Sequence, residues 1–120
     1  LGSFASVYCS SPNDPHIAAA IRELPGIELV LTAVEAAQRF ELPVDRIGDL
    51  NIIAKQQQVI GTSPEAHDLS GLEVPLRSHG GISEQRVPLI LSQPITKAPH
   101  EALRNFDLFD LALNHTPTPD

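Results

Sequence analysis

The residues with the clearest chemical potential form one short motif, a histidine followed by two glycines. His79 stands directly before Gly80 and Gly81. Neutral imidazole is a common zinc ligand, and glycines let a backbone pass close to a ligand around a fixed side chain. Because many surface turns contain His-Gly, spacing alone supports this interpretation only weakly. The remaining histidines form no HExxH pair, and the single cysteine cannot build a cysteine-rich zinc module with them.

A second group of polar residues precedes this motif. His67 and Asp68 are adjacent. They are either a loop histidine beside an aspartate that caps the turn at Ser70, or a pair that orients groups around His79 from behind a metal site. Arg77 could bind an anion through two hydrogen bonds or pair with a carboxylate at the surface.

Several classes of function are disfavoured by composition. The net charge of -7 opposes binding to nucleic acid or anionic membranes through net charge, and no window holds a cluster of Lys and Arg. No apolar run approaches the roughly 18 residues of a membrane span. There is no G-x-S-x-G elbow for an acyl-transfer serine, and the glycines are too widely spaced for a phosphate-binding loop. The lone Cys9 excludes an intrachain disulfide and, with no signal peptide, predicts the cytoplasm.

The helices and strands that must position these residues can be predicted from helix-capping residues, from proline and from the spacing of apolar residues. Asp14 before Pro15 predicts a helix start, because Asp caps helices and Pro fits the first helical position. Thr32 predicts the cap of a second helix that reaches Phe40. Short apolar runs predict strands before, between and after these helices, in the order β-α-β-α-β-β over residues 1–60, with residues 59–60 as the second arm of a hairpin. This order predicts an open sheet covered by helices, an α/β or α+β fold.

The second half of the chain is richer in loops. Glycines and prolines interrupt residues 61–86, and long loops in compact domains are often functional. Residues 87–92 predict a compact apolar strand. Asn105 is a predicted N-cap for a last helix over residues 106–113, whose apolar positions 106, 109, 112 and 113 fit a buried face.

The residue identities of three sequence segments, called runs below, are more specific than the spacing of their chemical groups. Together they resemble the C-terminal part of the phosphonoacetate hydrolase family, within the alkaline phosphatase superfamily, and the resemblance spans about residues 1–114. The opening residues 1–5 resemble the strand that enters the cap region of that family. The three runs are His67-Asp68-Leu69-Ser70-Gly71-Leu72, Pro75-Leu76-Arg77-Ser78-His79-Gly80-Gly81 and Glu84-Gln85-Arg86-Val87-Pro88-Leu89-Ile90.

The resemblance implies a division of the chain. Residues 1–66 would be the C-terminal part of an α+β cap domain. Residues 67–114 would return to an alkaline phosphatase-like α/β core, with residues 87–91 as a core strand and 106–113 as a helix on the core sheet. Residues 115–120 would form a tail. In an isolated piece, residues 67–114 would lose most of their packing partners.

The resemblance also implies the chemistry. A two-zinc enzyme would cleave the C–P bond of phosphonoacetate to acetate and phosphate, with His79 as one zinc ligand. The other ligands and a threonine nucleophile belong to upstream motifs that this sequence lacks, so we assign no catalytic residue here.

The chain also lacks an initiator methionine. We therefore expect a fragment of a longer protein, inactive alone, although a processed mature chain would also lack that methionine. The small-molecule substrate phosphonoacetate is the expected partner. Assembly into a homodimer stays an open alternative.

Two other interpretations stay open. A different metalloenzyme of the same superfamily, similar to nucleotide pyrophosphatases, phosphodiesterases or phosphoglycerate mutases, would share the His-Gly element. A small acidic α/β interaction module would use His79 only as a loop residue and would bind no metal in a longer protein.

Overall fold

A computed structural model describes residues 2–11, 14–76, 78–96 and 102–117. The chain divides into two compact units, Leu1–Val87 and Pro88–Asp120. The boundary after residue 66 that the resemblance implies separates a cap from a catalytic core, and it stays a prediction.

The first unit is built on a three-stranded antiparallel sheet with the order β1-β3-β2. The strands are β1 (Phe4–Val7), β2 (Ile27–Thr32) and β3 (Leu50–Ala54). All five residues of β3 are buried, since its nearly continuous apolar run lies between two partner strands. The polar exception, Asn51, is satisfied: the Ser6 hydroxyl donates to its Oδ1 at 2.8 Å, and its Nδ2 donates to the Gly48 carbonyl at 3.0 Å.

Two helices cover this sheet, and both predicted starts are confirmed. Helix α1 (Pro15–Arg22) begins after Asp14, whose carboxylate accepts the His16 N–H at 2.9 Å. Helix α2 (Ala33–Phe40) begins after Thr32 with a reciprocal capping box formed with Glu35. Helix α1 packs against β2, and α2 packs against β2 and β3.

The predicted hairpin after β3 is wrong. Ile60 forms an isolated antiparallel bridge with Gly2 at the start of the chain, and residues 59–60 do not pair with β3. The chain turns over residues 55–58, where the Gln58 N–H donates to the Lys55 carbonyl at 3.0 Å. Lys55 also donates its N–H to the Gly26 carbonyl at 2.8 Å, on the side of β2, whereas Ile60 donates its N–H to the carbonyl of Gly2, on the side of β1.

The second unit contains helix α3 (Asp107–Asn114). The predicted cap is wrong: Phe106, not Asn105, precedes the helix, and no side chain caps it. The predicted buried face is also wrong. Leu111 is 1% exposed, whereas the side chains at positions 106, 109 and 113 are 55%, 75% and 79% exposed and Ala112 is exposed as well. Within the described part of this unit, these apolar side chains have no surface to pack against.

The predicted strand at residues 87–92 does not form in the described structure. A strand needs a neighbour for its backbone hydrogen bonds, and the described residues supply none for this segment. Its apolar side chains lie at the surface, with Val87 74% and Ile90 86% exposed. The predicted class, mixed helices and strands, is confirmed, with a small antiparallel sheet. None of the described helices has the length and apolar character needed to cross a bilayer.

Candidate functional site

The His-Gly-Gly motif forms a turn that lies against the beginning of β1. The Ser3 N–H donates to the His79 carbonyl at 2.8 Å. Gly80 has a φ of +87°, a left-handed conformation that favours glycine, and a Cβ there would lie 3.1 Å from Phe4 Cβ. The turn therefore needs glycine at position 80 for both conformation and space.

A short 3₁₀ helix, Ile82–Glu84, follows the turn and folds a carboxylate back over it. A Cβ on Gly81 would collide with Glu84 Oε2. The Ser83 hydroxyl donates to Glu84 Oε1, while Oε2 is buried without a hydrogen-bond partner among the described residues. The missing side chain at Gly81 thus leaves room for the Glu84 carboxylate.

The His79 side chain is exposed, and its ring makes no hydrogen bond to the described residues. It can therefore offer a nitrogen to a metal. Zinc sites in proteins use about four ligands, or three and a water. No group of three or more His, Cys, Asp and Glu side chains among the described residues could hold a metal. The described residues thus offer one candidate ligand and do not complete a zinc site.

His67 and Asp68 lie in a separate turn with partners of their own. His67 Nε2 lies 3.3 Å from the Thr62 hydroxyl, and Asp68 Oδ1 accepts the Ser70 N–H at 2.9 Å. This backbone hydrogen bond, followed by one from the Ser70 hydroxyl, lowers the pKa of the Asp68 carboxyl below its ordinary value. Asp68 thus caps the turn. No hydrogen bond joins either side chain to His79 within the described structure, and their orienting role stays a prediction.

The remaining candidate, Arg77, lies outside the described residues. The described residues form a cleft of about 380 Å³, which includes Ser78, the neighbour of His79 in the sequence. Glu84 is the one ionisable side chain among the described lining residues, so these residues include no cation that could bind a phosphonate. As described, the cleft does not match an anionic substrate. It is lined by Gln56, Gln57, Pro75, Leu76, Ser78 and Glu84.

Sequence reasoning missed the residues that hold the motif. Gly2 and Ser3 contact His79, although almost the whole sequence of the first unit separates them. No local residue spacing indicates a contact between residues so far apart in the chain. Gln56 and Gln57 are exposed at the chain reversal after β3 and also line the cleft.

Comparison with known proteins gives a specific result. The chain is 45% identical to phosphonoacetate hydrolase from Sinorhizobium meliloti 1021, solved in complex with phosphonoformate, over 91% of this chain and with a TM-score of 0.70. The complex of the same enzyme with phosphonoacetate gives a TM-score of 0.69 at the same identity and coverage. A curated phosphonoacetate hydrolase from Penicillium oxalicum is 63% identical over 30 residues, which are 24% of this chain and 42% of that relative.

No model of a known protein family matches the chain. The resemblance to phosphonoacetate hydrolase is nevertheless confirmed by both kinds of relative. The chain spans only 27% of the length of the solved hydrolase chains. It therefore corresponds to a part of that enzyme, and the expected alkaline phosphatase-like architecture applies to this part.

Proposed function

We propose that this chain is part of a zinc-dependent phosphonoacetate hydrolase that acts in the cytoplasm on a small-molecule substrate. The enzyme would cleave the C–P bond of phosphonoacetate to acetate and phosphate. His79 would supply one ligand of its two-zinc centre. The other ligands and the nucleophile would come from parts of the enzyme outside this chain, with His67, Asp68 and Arg77 near the site as supporting groups.

One observation carries this proposal: 45% identity over 91% of the chain to a hydrolase solved with phosphonoacetate. The geometry of the turn is compatible with it. The backbone of His79 is fixed by a hydrogen bond from Ser3, while its imidazole stays exposed. A fixed backbone with an exposed ring suits a ligand whose metal partners approach from another segment of the protein.

The same geometry supports inactivity of the isolated chain. One imidazole at an exposed turn supplies a fraction of the three or four ligands that a zinc ion needs. Without a bound metal, the described lining of the cleft offers neither a positive charge for the phosphonate oxygens nor an activated nucleophile. The 120-residue chain alone would therefore release no phosphate from phosphonoacetate.

The test compares His79→Ala with His16→Ala in the full-length protein that contains this chain. His16 is a matched control, because its imidazole is exposed on α1 and makes no hydrogen bond to the described residues. Zinc content and phosphate release from phosphonoacetate are measured for both. Loss of a partner behind a metal ligand already costs about 10–100-fold, so loss of the ligand itself should cost at least about 100-fold. His16→Ala should change neither quantity.

Each other outcome overturns a stated part of the proposal. A full-length protein that binds no zinc, or whose zinc and activity survive His79→Ala, excludes His79 as a ligand and favours the interaction module. A protein that binds zinc but hydrolyses a phosphodiester or converts a phosphoglycerate, without acting on phosphonoacetate, belongs elsewhere in the superfamily. Phosphate release by the isolated chain contradicts its inactivity.

A further inference from the structure

The beginning of the sheet contacts the His-Gly-Gly turn residue by residue. Three consecutive residues, Gly2 to Phe4, form what we call the Gly2–Phe4 segment. Ser3 donates its N–H to the His79 carbonyl at 2.8 Å, and its Cβ lies 3.2 Å from the Cβ position of Gly81. The Phe4 Cβ likewise lies 3.1 Å from the Cβ position of Gly80. The segment thus touches the whole turn.

Ser3 connects this contact to the centre of the sheet. It is 2% exposed, and each of its polar groups has a partner. Beyond its bond to His79, its carbonyl accepts the Ala54 N–H at 2.8 Å, and its hydroxyl donates to the Gln58 carbonyl at 2.9 Å. The His79 backbone is therefore fixed to the last residue of the central strand through a single buried residue.

Gly2 controls the space beside the His79 side chain. A Cβ on Gly2 would lie 3.2 Å from His79 Cε1 and 3.6 Å from Nδ1. The position of Gly2 itself is set by the Ile60 N–H, which donates to the Gly2 carbonyl at 2.8 Å. The missing side chain at Gly2 therefore leaves room for the imidazole.

We propose that Gly2 is a positioning residue for His79: it sets where the imidazole lies without touching metal or substrate. This inference rests on the proposed function for its consequence in metal binding. A metal ligand must sit within about 0.2 Å of its ideal distance. A contact at 3.2 Å makes the ring give way by a few tenths of an ångström, or change rotamer. Gly2→Ala should therefore displace the ring by an amount that metal binding cannot tolerate.

The experiment uses the full-length protein with histidine labelled at Cε1. Gly2→Ala should shift the His79 Cε1–H resonance of the metal-free protein, which is assigned by its loss in His79→Ala, and should weaken zinc binding about 10–100-fold. The matched control is Gly71→Ala, because a Cβ at Gly71 meets nothing within 4 Å. It should leave the resonance and zinc affinity unchanged.

A double-mutant cycle keeps the inference testable if Gly2→Ala lowers stability. If the added methyl meets the imidazole, its effect on the melting temperature should largely disappear in the His79→Ala background. Equal effects in both backgrounds, or an unmoved His79 resonance in folded Gly2→Ala, overturn the positioning role. These readouts need no metal. If Gly2→Ala moves the ring while His79→Ala leaves zinc binding intact, the proposed function fails and the positioning role of Gly2 stands.

Discussion

Strand β3 and helix α3 are both rich in apolar residues, yet only β3 is buried. All five residues of β3 are buried, with Ile53 and Asn51 at 0% exposure. In α3, Leu111 is the one buried residue. The strand lies between two others and beneath α2. Burial therefore depends on the partners that surround an apolar run and not on the run itself.

This difference agrees with the proposed function. The solved hydrolases are much longer than this chain, which covers 27% of their length. In a longer protein the exposed face of α3 and the apolar residues 87–91 would have further surfaces to pack against. The first unit instead provides its own sheet and helices. We therefore expect the two regions to respond differently to loss of an apolar side chain.

The largest effect is expected where β3 is most enclosed. Ile53→Ala removes a side chain that is 0% exposed, at a strand position paired with Phe4 and Leu29. Truncation of a buried isoleucine to alanine typically costs about 2–5 kcal/mol, because a cavity remains. Urea denaturation of the 120-residue chain measures the change.

The comparison for this prediction is Phe109→Ala in α3, where the larger side chain is 75% exposed. Exposed substitutions usually stay within about 0.5 kcal/mol. Equal losses at the two sites would contradict the distinction between a self-sufficient sheet and an unpartnered helix face.

Substitution of a buried glycine should have an intermediate effect on the free energy of unfolding. A Cβ on Gly48 would lie 2.6 Å from the Val7 carbonyl oxygen and 2.8 Å from the Val7 nitrogen. Because backbone must move to relieve this contact, Gly48→Ala should cost about 1–3 kcal/mol, as overpacking does. Gly71→Ala, which meets nothing within 4 Å, should stay within about 0.5 kcal/mol in the same unfolding measurement. A neutral Gly48→Ala would show that β1 does not pack this tightly against Gly48, two residues before β3.

The sequence predicted the first half of the fold well because its signals are local. Asp14 and Thr32 cap the helices that follow them, and the apolar run of β3 marks a buried strand. Residues 59–60 were misassigned because two apolar residues cannot specify their partner, which is Gly2 rather than β3. The strand at 87–92 and the buried face of α3 depend on surfaces that the described chain does not provide.

The candidate site could be predicted only in part. His79 is predicted as a ligand from its glycines and from resemblance, and this role stays a prediction. The positions of Gly2 and Ser3 beside it arise from tertiary contacts, which leave no periodic or spacing signal. Local residue types can thus suggest a candidate ligand, whereas the residues that contact it are found only when the chain is folded.

The smallest expected effect concerns the side-chain cap of α2, which distinguishes this helix from the uncapped α3. In α2, Glu35 Oε2 accepts the Thr32 N–H and the Thr32 hydroxyl, each at 2.8 Å. The backbone hydrogen bond first, and the hydroxyl second, lower the pKa of the Glu35 carboxyl below its ordinary value. A pKa lowered by folding contributes stability above the unfolded value, and this contribution is lost as pH falls through the folded value.

Thr32→Ala should therefore raise the Glu35 pKa toward the ordinary range, since the N–H donor remains and the hydroxyl is lost. Carboxyl carbon NMR titration measures this pKa directly. Glu65 is the internal control, because its pKa is lowered by its own backbone N–H and by Ser63, far from the cap. An ordinary Glu35 pKa before substitution, or one that Thr32→Ala does not move, would mean that the capping box does not persist in solution. Helix α2 would then begin without a side-chain cap, as α3 does, and burial alone would distinguish the two regions.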